Sequence, residues 1–174
     1  PSLRKIDSEE DLSDTQINVK EVFSNSEFNF GESNKKLSAL GILSLKEATK
    51  AIKGNKIDVL VTAPINKDLS YSNSFKYTGH TDFLKHYFST NPLMVMISEE
   101  LKIALLTDHI PIKDVSNAIN KDFVEQKIKA LEKSLINDFQ IKKPKIAVLA
   151  VNPHAGDNGV IGNEDKSIIT PAIN

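Results

Sequence analysis

Three short runs constrain the fold of this 174-residue chain most, because each is apolar along its length and ends abruptly in polar residues near a proline. They lie at 57–62, 102–107 and 145–151. Apolar runs of this length are typical of strands that are buried on both faces of a sheet. Another strand is predicted at 93–97, directly before the second run, so part of the sheet is expected to be mixed or antiparallel.

Helical patterns separate these runs. Apolar residues recur on one helical face over 32–52, 81–89 and 122–139, and a last helix is predicted to begin at Asn163 or Glu164. Alternating strands and helices predict a layered α/β fold.

The first 30 residues have the least regular pattern in the chain. A strand is predicted within them only at 17–23. Residues 1–30 are therefore predicted to be a variable connecting segment, and residues 31–174 an α/β portion with its own core.

Composition excludes several classes of protein. Lys plus Arg number 22 and Asp plus Glu 23, which gives no sign of a nucleic-acid partner. The absence of cysteine excludes disulfides, a catalytic thiol and thiolate metal sites, and it fits a reducing cytoplasm. No apolar run approaches the roughly 20 residues that span a bilayer. The first residue is proline, without an apolar signal segment, so the natural N-terminus is expected to lie upstream.

His109 and His154 are the candidate metal ligands, because each follows a predicted strand and lies near a proline that restrains the backbone. Ligands in open α/β sheets gather beyond the carboxyl ends of strands, so the two imidazoles are expected to approach each other. Neutral imidazole binds Zn, Fe, Ni or Co well. The alternative is that each histidine only hydrogen-bonds its own loop. Two histidines also leave a site short of the roughly three protein ligands of most catalytic zinc centres.

A second group of candidates would bind an anion. His80 and Thr81 lie at a predicted helix start, where backbone N–H groups and the helix dipole attract negative charge. Thr81 could instead cap the helix. Lys67 follows the first apolar run and could contact a phosphate or carboxylate, or could be an ordinary exposed lysine. Asp108 and Asp157 could each orient a neighbouring imidazole or simply shape its loop.

The glycine-rich segment 156–162 has neither the Gly-x-Gly-x-x-Gly spacing of a dinucleotide loop nor a P-loop ending. Nothing else in the residues independently indicates a nicotinamide cofactor.

Four motifs occur in a fixed order from about residue 31 to the end of the chain. They are Thr62-Ala63-Pro64-Ile65-Asn66-Lys67, Gly79-His80-Thr81-Asp82-Phe83-Leu84, His109-Ile110-Pro111 with Asp114-Val115, and Asn152-Pro153-His154-Ala155-Gly156-Asp157 with Gly162 and Glu164. In this order they resemble the motifs of the 4-hydroxythreonine-4-phosphate dehydrogenase family, and Asn-Pro-His-Ala-Gly is the most specific of them.

The resemblance implies a function. Members of the family oxidise 4-phosphooxy-L-threonine with NAD, and the product loses carbon dioxide to give 3-amino-2-oxopropyl phosphate, in the biosynthesis of pyridoxal 5'-phosphate. It implies a cytoplasmic homodimer with two α/β domains, similar in fold to isocitrate and isopropylmalate dehydrogenases. His109 and His154 would bind a divalent metal such as Zn, Mg or Co, and His80 and Thr81 would bind substrate. No catalytic base and no cofactor-binding residue is assigned.

Departures from the family pattern indicate a central fragment. The family's Gly-Asp-Pro-x-Gly segment and its downstream Tyr-His-Asp motif, which carries the third metal histidine, are not in these residues. Residues 31–174 are therefore expected to be the central portion of a two-domain dehydrogenase, with an incomplete α/β sheet and no appreciable activity alone. The alternatives are a sister dehydrogenase of phosphorylated sugar acids such as 4-phospho-threonate, a metal-dependent hydrolase, and a non-catalytic fragment.

Overall fold

The computed structural model describes residues 2–8, 11–24, 29, 31–32, 34–72 and 74–174. Two compact units make up the chain, Pro1–Asn91 and Pro92–Asn174. Both helices and strands occur, so the predicted mixed α/β composition is confirmed. Within the described residues, no helix is long and apolar enough to cross a membrane.

The first unit begins with a parallel strand pair. β1 (Leu3–Ile6) pairs with β2 (Ile17–Lys20), with Leu3 opposite Ile17 and Ile6 opposite Lys20. The predicted strand at 17–23 is confirmed over its first four residues, and β1 was not predicted. Residues 1, 9, 10, 25–28 and 30 of the predicted variable segment lie outside the described residues.

A long helix and two shorter ones complete the first unit. They are α1 (Lys35–Lys53), α2 (Lys67–Ser70) and α3 (His80–Phe88). The two helices predicted here thus form with ends shifted by a few residues. At the start of α1 the Lys36 N–H donates to the Asn34 side chain at 2.8 Å, which satisfies a backbone group that the helix leaves unpaired.

The core of the first unit lies between α1 and α3. Ile42 and Leu45 of α1 pack with Phe83 of α3 and with Phe75. The Phe75 and Phe83 ring centroids are 5.5 Å apart. Burying Phe83 fixes α3, and therefore its N-terminal end, against the rest of the unit.

The second unit contains an antiparallel hairpin followed by helices. β3 (Val95–Ile97) pairs with β4 (Lys102–Ala104), which confirms two adjoining strands joined by a turn. The helices are α4 (Ile112–Ala118), which was not predicted, then α5 (Lys121–Asn137), a π-helical turn at Asp165–Ile169 and α6 (Thr170–Ile173). Ile119, Val124 and Ile169 form the core.

Two of the predicted buried strands are not strands in this structure. Residues 57–62 and 145–151 lie in no sheet of the described part of the chain. Only part of each run packs inward, as Leu60 and Val148 do. Val61 is 90% exposed and Leu149 is 85% exposed. The prediction of burial on both faces was wrong because it assumed neighbouring strands that the described residues do not supply.

Candidate active site

His109 lies in a short loop, residues 108–111, between β4 and α4. Its backbone has φ 48°, in the left-handed region that residues with a side chain rarely adopt. Pro111, two residues later, is the N-cap residue of α4 and has φ −57°. His109 is exposed.

His154 lies in a longer loop, residues 152–164, which contains a continuous left-handed run. The five residues from His154 to Asn158 all have φ between 45° and 82°. Only Gly156 among them lacks a side chain. A left-handed residue with a side chain costs roughly 1–2 kcal/mol, so this loop must be held by other contacts. His154 is exposed.

Left-handed residues elsewhere have a simpler cause. Eight described non-glycine residues have positive φ, and three of them, Asn55, Ser89 and Gln140, lie at or just beyond the C-terminal ends of α1, α3 and α5. Such a residue commonly ends a helix. The other five all lie in the two histidine loops. Strained backbone that does not end a helix is found mainly at functional sites. The presence of all five such residues in the two histidine loops therefore favours a functional role for these loops.

Asp165 holds the start of the His154 loop. Its side chain is buried, with 5% exposure, and both carboxylate oxygens are used. The Val151 N–H donates to Oδ1 at 2.8 Å, and the Asn152 N–H donates to Oδ2 at 2.9 Å. Those two backbone hydrogen bonds, the first from Val151, hold the pKa of Asp165 below its usual value, although burial opposes them.

Glu164 makes a second link across the loop. The Asn152 side-chain amide donates to Glu164 Oε2 at 2.8 Å. The Glu164 backbone N–H and then this amide lower the pKa of Glu164. Gly162 lies beside the link, and a Cβ built there would be 2.9 Å from Asn152 Nδ2. A side chain at residue 162 would therefore push the linked pair apart.

Gly156 closes the loop on itself. The Ile161 N–H donates to the Gly156 carbonyl at 3.1 Å. Gly156 has φ 82°, and a Cβ built on it would collide with the Gly162 carbonyl oxygen. Glycine is required at residue 156 both for the backbone angle and for the close approach of the chain.

The imidazole nitrogens of His109 and His154 are not hydrogen-bonded within their own loops. Among the described residues, neither His109 nor His154 makes a side-chain hydrogen bond, and neither Asp108 nor Asp157 contacts an imidazole that way. Sequence reasoning gave no role to Asp165. An acidic residue at a predicted helix start is ordinarily interpreted as complementing the helix dipole. Only the folded structure shows that Asp165 accepts a hydrogen bond from the Val151 N–H.

The chemistry of the donors fits a borderline divalent metal. Imidazoles of exposed residues suit Zn, Co or Ni better than Mg, which prefers oxygen ligands. No group of three or more His, Asp or Glu in the described part of the chain could hold a metal ion. His109 and His154 alone would therefore bind a metal ion weakly, with water completing its coordination, and a further protein ligand would tighten the binding. Their mutual approach stays a prediction.

The anion-binding candidates lie in the first unit, at the start of α3. Gly79 is the N-cap residue of α3, and no side chain caps its first turn. Thr81 lies inside the helix, so its interpretation as the cap was wrong. The Lys67 side chain also reaches this end, with Cε 3.7 Å from a Cβ built on Gly79. The structure thus brings Lys67 next to the His80–Thr81 turn.

The remaining histidine has a local role. The His86 Nδ1 is 2.8 Å from the Asp82 backbone oxygen and 3.2 Å from its carboxylate, and His86 is exposed. A cavity of about 280 Å³ lies at this C-terminal end of α3, lined by Lys85, His86, Ser89, Thr90 and Asn91. It is at the opposite end of the helix from His80.

The chain was compared with known proteins. A family model described as pyridoxal phosphate biosynthetic protein PdxA matches residues 2–174. A relative from Sulfurihydrogenibium sp. (strain YO3AOP1), named 4-hydroxythreonine-4-phosphate dehydrogenase, is 41% identical over 145 residues, which are 83% of this chain and 45% of the relative. A relative of the same name from Aquifex aeolicus is 42% identical over 124 residues, which are 71% of this chain and 38% of the relative.

Solved structures agree. The 4-hydroxythreonine-4-phosphate dehydrogenase from Klebsiella pneumoniae matches with a TM-score of 0.84 at 30% identity, and the match covers 99% of this chain and 53% of that chain. The mixed α/β architecture is therefore shared with these dehydrogenases. The chain spans about half the length of the relatives that it matches.

Proposed function

Since the chain belongs to the pyridoxal phosphate biosynthetic protein PdxA family, we propose that it carries part of the active site of a 4-hydroxythreonine-4-phosphate dehydrogenase. The proposed reaction is oxidation of 4-phosphooxy-L-threonine with NAD, followed by decarboxylation to 3-amino-2-oxopropyl phosphate. The observation that carries the proposal is that the family match runs over residues 2–174 and includes both strained histidine loops.

His109 and His154 would hold a divalent metal ion, preferably Zn or Co. When bound, such an ion would polarise the substrate hydroxyl and stabilise negative charge that develops on the product. The contribution of this chain is to present two imidazoles from restrained backbone, with their nitrogens not engaged by their own loops. A third ligand would come from polypeptide beyond these 174 residues.

The anionic end of the substrate would bind in the first unit. The N–H groups of His80 and Thr81 belong to a first turn that no side chain caps, and the helix dipole adds partial positive charge there. The Lys67 ammonium lies close to the same turn and adds a full charge. These groups suit a phosphate or a carboxylate, and His80 and Thr81 side chains would add polar contacts.

NAD has no binding residues assigned in this chain. The segment 156–162 lacks the spacing of a dinucleotide-binding loop. The cofactor site would be formed by the remainder of a longer protein.

We also propose a cytoplasmic homodimer. Val59 and Val61 are 74% and 90% exposed, and exposed apolar segments of this kind favour association. Light scattering should detect association that increases with concentration, and a well-behaved monomer at high concentration would contradict it.

The test is NADH formation from 4-phosphooxy-L-threonine and, separately, from 4-phospho-threonate. The 174-residue chain is expected to show no appreciable turnover, because positioning of NAD and substrate together is lost. The longer protein that contains it should be active on the amino substrate, lose activity with a chelator, and lose it in His154→Ala. His86→Ala is the matched control, since among the described residues the His86 imidazole hydrogen-bonds within α3, at the opposite end of that helix from His80.

Robust activity of the 174-residue chain would show that it is not an incomplete enzyme. Full activity in His154→Ala would remove His154 from the metal site. Faster turnover of the hydroxy acid would favour the sister dehydrogenase, and no NADH from either substrate would contradict the proposed reaction.

A further inference from the structure

Asp165 lies 11 residues after His154 in the chain but is tied to the backbone directly before it. Both carboxylate oxygens accept N–H groups, one from Val151 and one from Asn152. Asn152 is two residues from His154. By holding the backbone at Val151 and Asn152, the Asp165 side chain therefore also restrains the His154 backbone that carries the imidazole.

The second link strengthens this arrangement from the other side of Asn152. Its backbone N–H is held by Asp165 and its side-chain amide by Glu164, at 2.9 and 2.8 Å. A residue held at both groups has little freedom to rotate. The left-handed run begins directly after Pro153, so its first residue inherits this fixed orientation.

We propose that Asp165, assisted by Glu164, is the positioning residue for the His154 metal ligand, acting through the backbone of Val151 and Asn152. This inference rests on the proposed metal role of His154. Asp165 acts through the backbone, whereas the sequence suggests that Asp108 and Asp157 would orient the imidazoles directly. It sets the direction of the ligand and has no direct part in the reaction.

Outer groups that orient a metal ligand typically change metal affinity by about 10–100-fold when they are removed. Asp165→Asn retains the size of the side chain but can accept only through one atom and presents a donor to the other N–H. Asp165→Glu retains both acceptors. The inference therefore predicts loss in the first variant and recovery in the second.

The experiment is a Co²⁺ titration of the 174-residue chain, followed through the imidazole C–H signals in proton NMR. Weak binding is measurable this way, and the four histidine signals can be assigned with single His→Ala variants. Asp165→Asn should raise the Co²⁺ dissociation constant reported by His154 at least about tenfold. Asp165→Glu should return it to within about threefold of wild type. Asp157→Asn, in the same loop, is the matched control and should resemble wild type.

Amide hydrogen exchange shows whether Asp165→Asn affects only the loop or the folding of the whole unit. In Asp165→Asn, the Val151 and Asn152 amides should exchange at least about tenfold faster, while α5 amides keep their wild-type protection. If α5 protection is lost, Glu164→Ala replaces that variant, because it removes the Asn152 side-chain link and leaves both Asp165 hydrogen bonds in place. It should weaken Co²⁺ binding by about twofold to tenfold, the effect of one hydrogen bond.

The outcomes separate the two proposals. Unchanged Co²⁺ affinity in a folded Asp165→Asn, or in Glu164→Ala where that variant is needed, would overturn the positioning role and leave the metal role of His154 intact. Faster exchange with unchanged affinity would make Asp165 merely structural, which also overturns it. A wild-type chain whose His154 signal does not respond to Co²⁺ would overturn the metal role, and the positioning role with it.

Discussion

The two histidine loops have the same proposed role but are built differently. The His109 loop has one left-handed residue followed by Pro111, and no described side chain holds it from outside. The His154 loop has five left-handed residues in succession and is held by Asp165 and Glu164. The loop with more left-handed residues is thus the one that more side-chain hydrogen bonds support. Breaking that network should therefore affect His154 more than any comparable change affects His109.

The largest effect is expected from Gly156→Ala. The new Cβ would meet the Gly162 carbonyl while the backbone is left-handed, so the loop must rearrange, at a cost of more than about 2 kcal/mol. All three tyrosines are in the first unit and the chain has no tryptophan, so intrinsic fluorescence would not report on the second unit. Amide exchange of α5 measures its opening free energy instead.

The control for that variant is Gly41→Ala. Gly41 lies exposed inside α1, and a Cβ there meets nothing within 4 Å. Alanine should stabilise the helix by about 0.5–1 kcal/mol. Equal stability of Gly156→Ala and wild type would show that the His154 loop is not closed as described.

An acid-sensitive contribution from Asp165 is the next largest effect. Because the pKa of Asp165 is lowered in the fold, its stabilising effect is fully present above the unfolded value of about 3.9 and is lost as the pH falls through the lower folded value. The difference in unfolding free energy between wild type and Asp165→Asn should be constant near neutral pH and shrink below about pH 4. Urea denaturation at a series of pH values, followed by circular dichroism, measures it.

Asp157→Asn serves as the control in the same loop, since its carboxylate makes no hydrogen bond to the described residues. Its curve should run parallel to wild type. A wild-type advantage over Asp165→Asn that persists undiminished into strong acid would mean that the carboxylate charge is not what holds Val151 and Asn152.

The smallest effect is expected from the two prolines. Pro111→Ala and Pro153→Ala should each lower stability by about 0.4–1 kcal/mol through the freer unfolded chain. Their native loops should respond differently. The His109 and Ile110 amides should exchange faster in Pro111→Ala, whereas the His154 loop should stay near wild type in Pro153→Ala because Asp165 and Glu164 still hold it. An equal increase of amide exchange in both loops would show that Asp165 and Glu164 do not make the His154 loop more rigid than the His109 loop.

The sequence predicted the elements whose determinants are local. α1, α3 and α5 follow apolar spacing and capping residues, and the 95–104 hairpin follows two apolar runs around a turn. The predicted burial of 57–62 and 145–151 was wrong, because burial of a strand on both faces depends on neighbouring strands that the described residues do not supply. Candidate ligands could be identified from type and position. The support from Asp165 could not, since it arises from a contact across 14 residues.

If His109 and His154 hold one metal ion together, a Co²⁺ titration should report it in both imidazole signals. Both signals should shift with a common midpoint and saturate at one ion per chain, while the His86 signal stays unchanged. His109→Ala should then weaken the response of His154, and His154→Ala that of His109. Separate midpoints, or a His154 response that is unaffected by His109→Ala, would contradict a shared metal site.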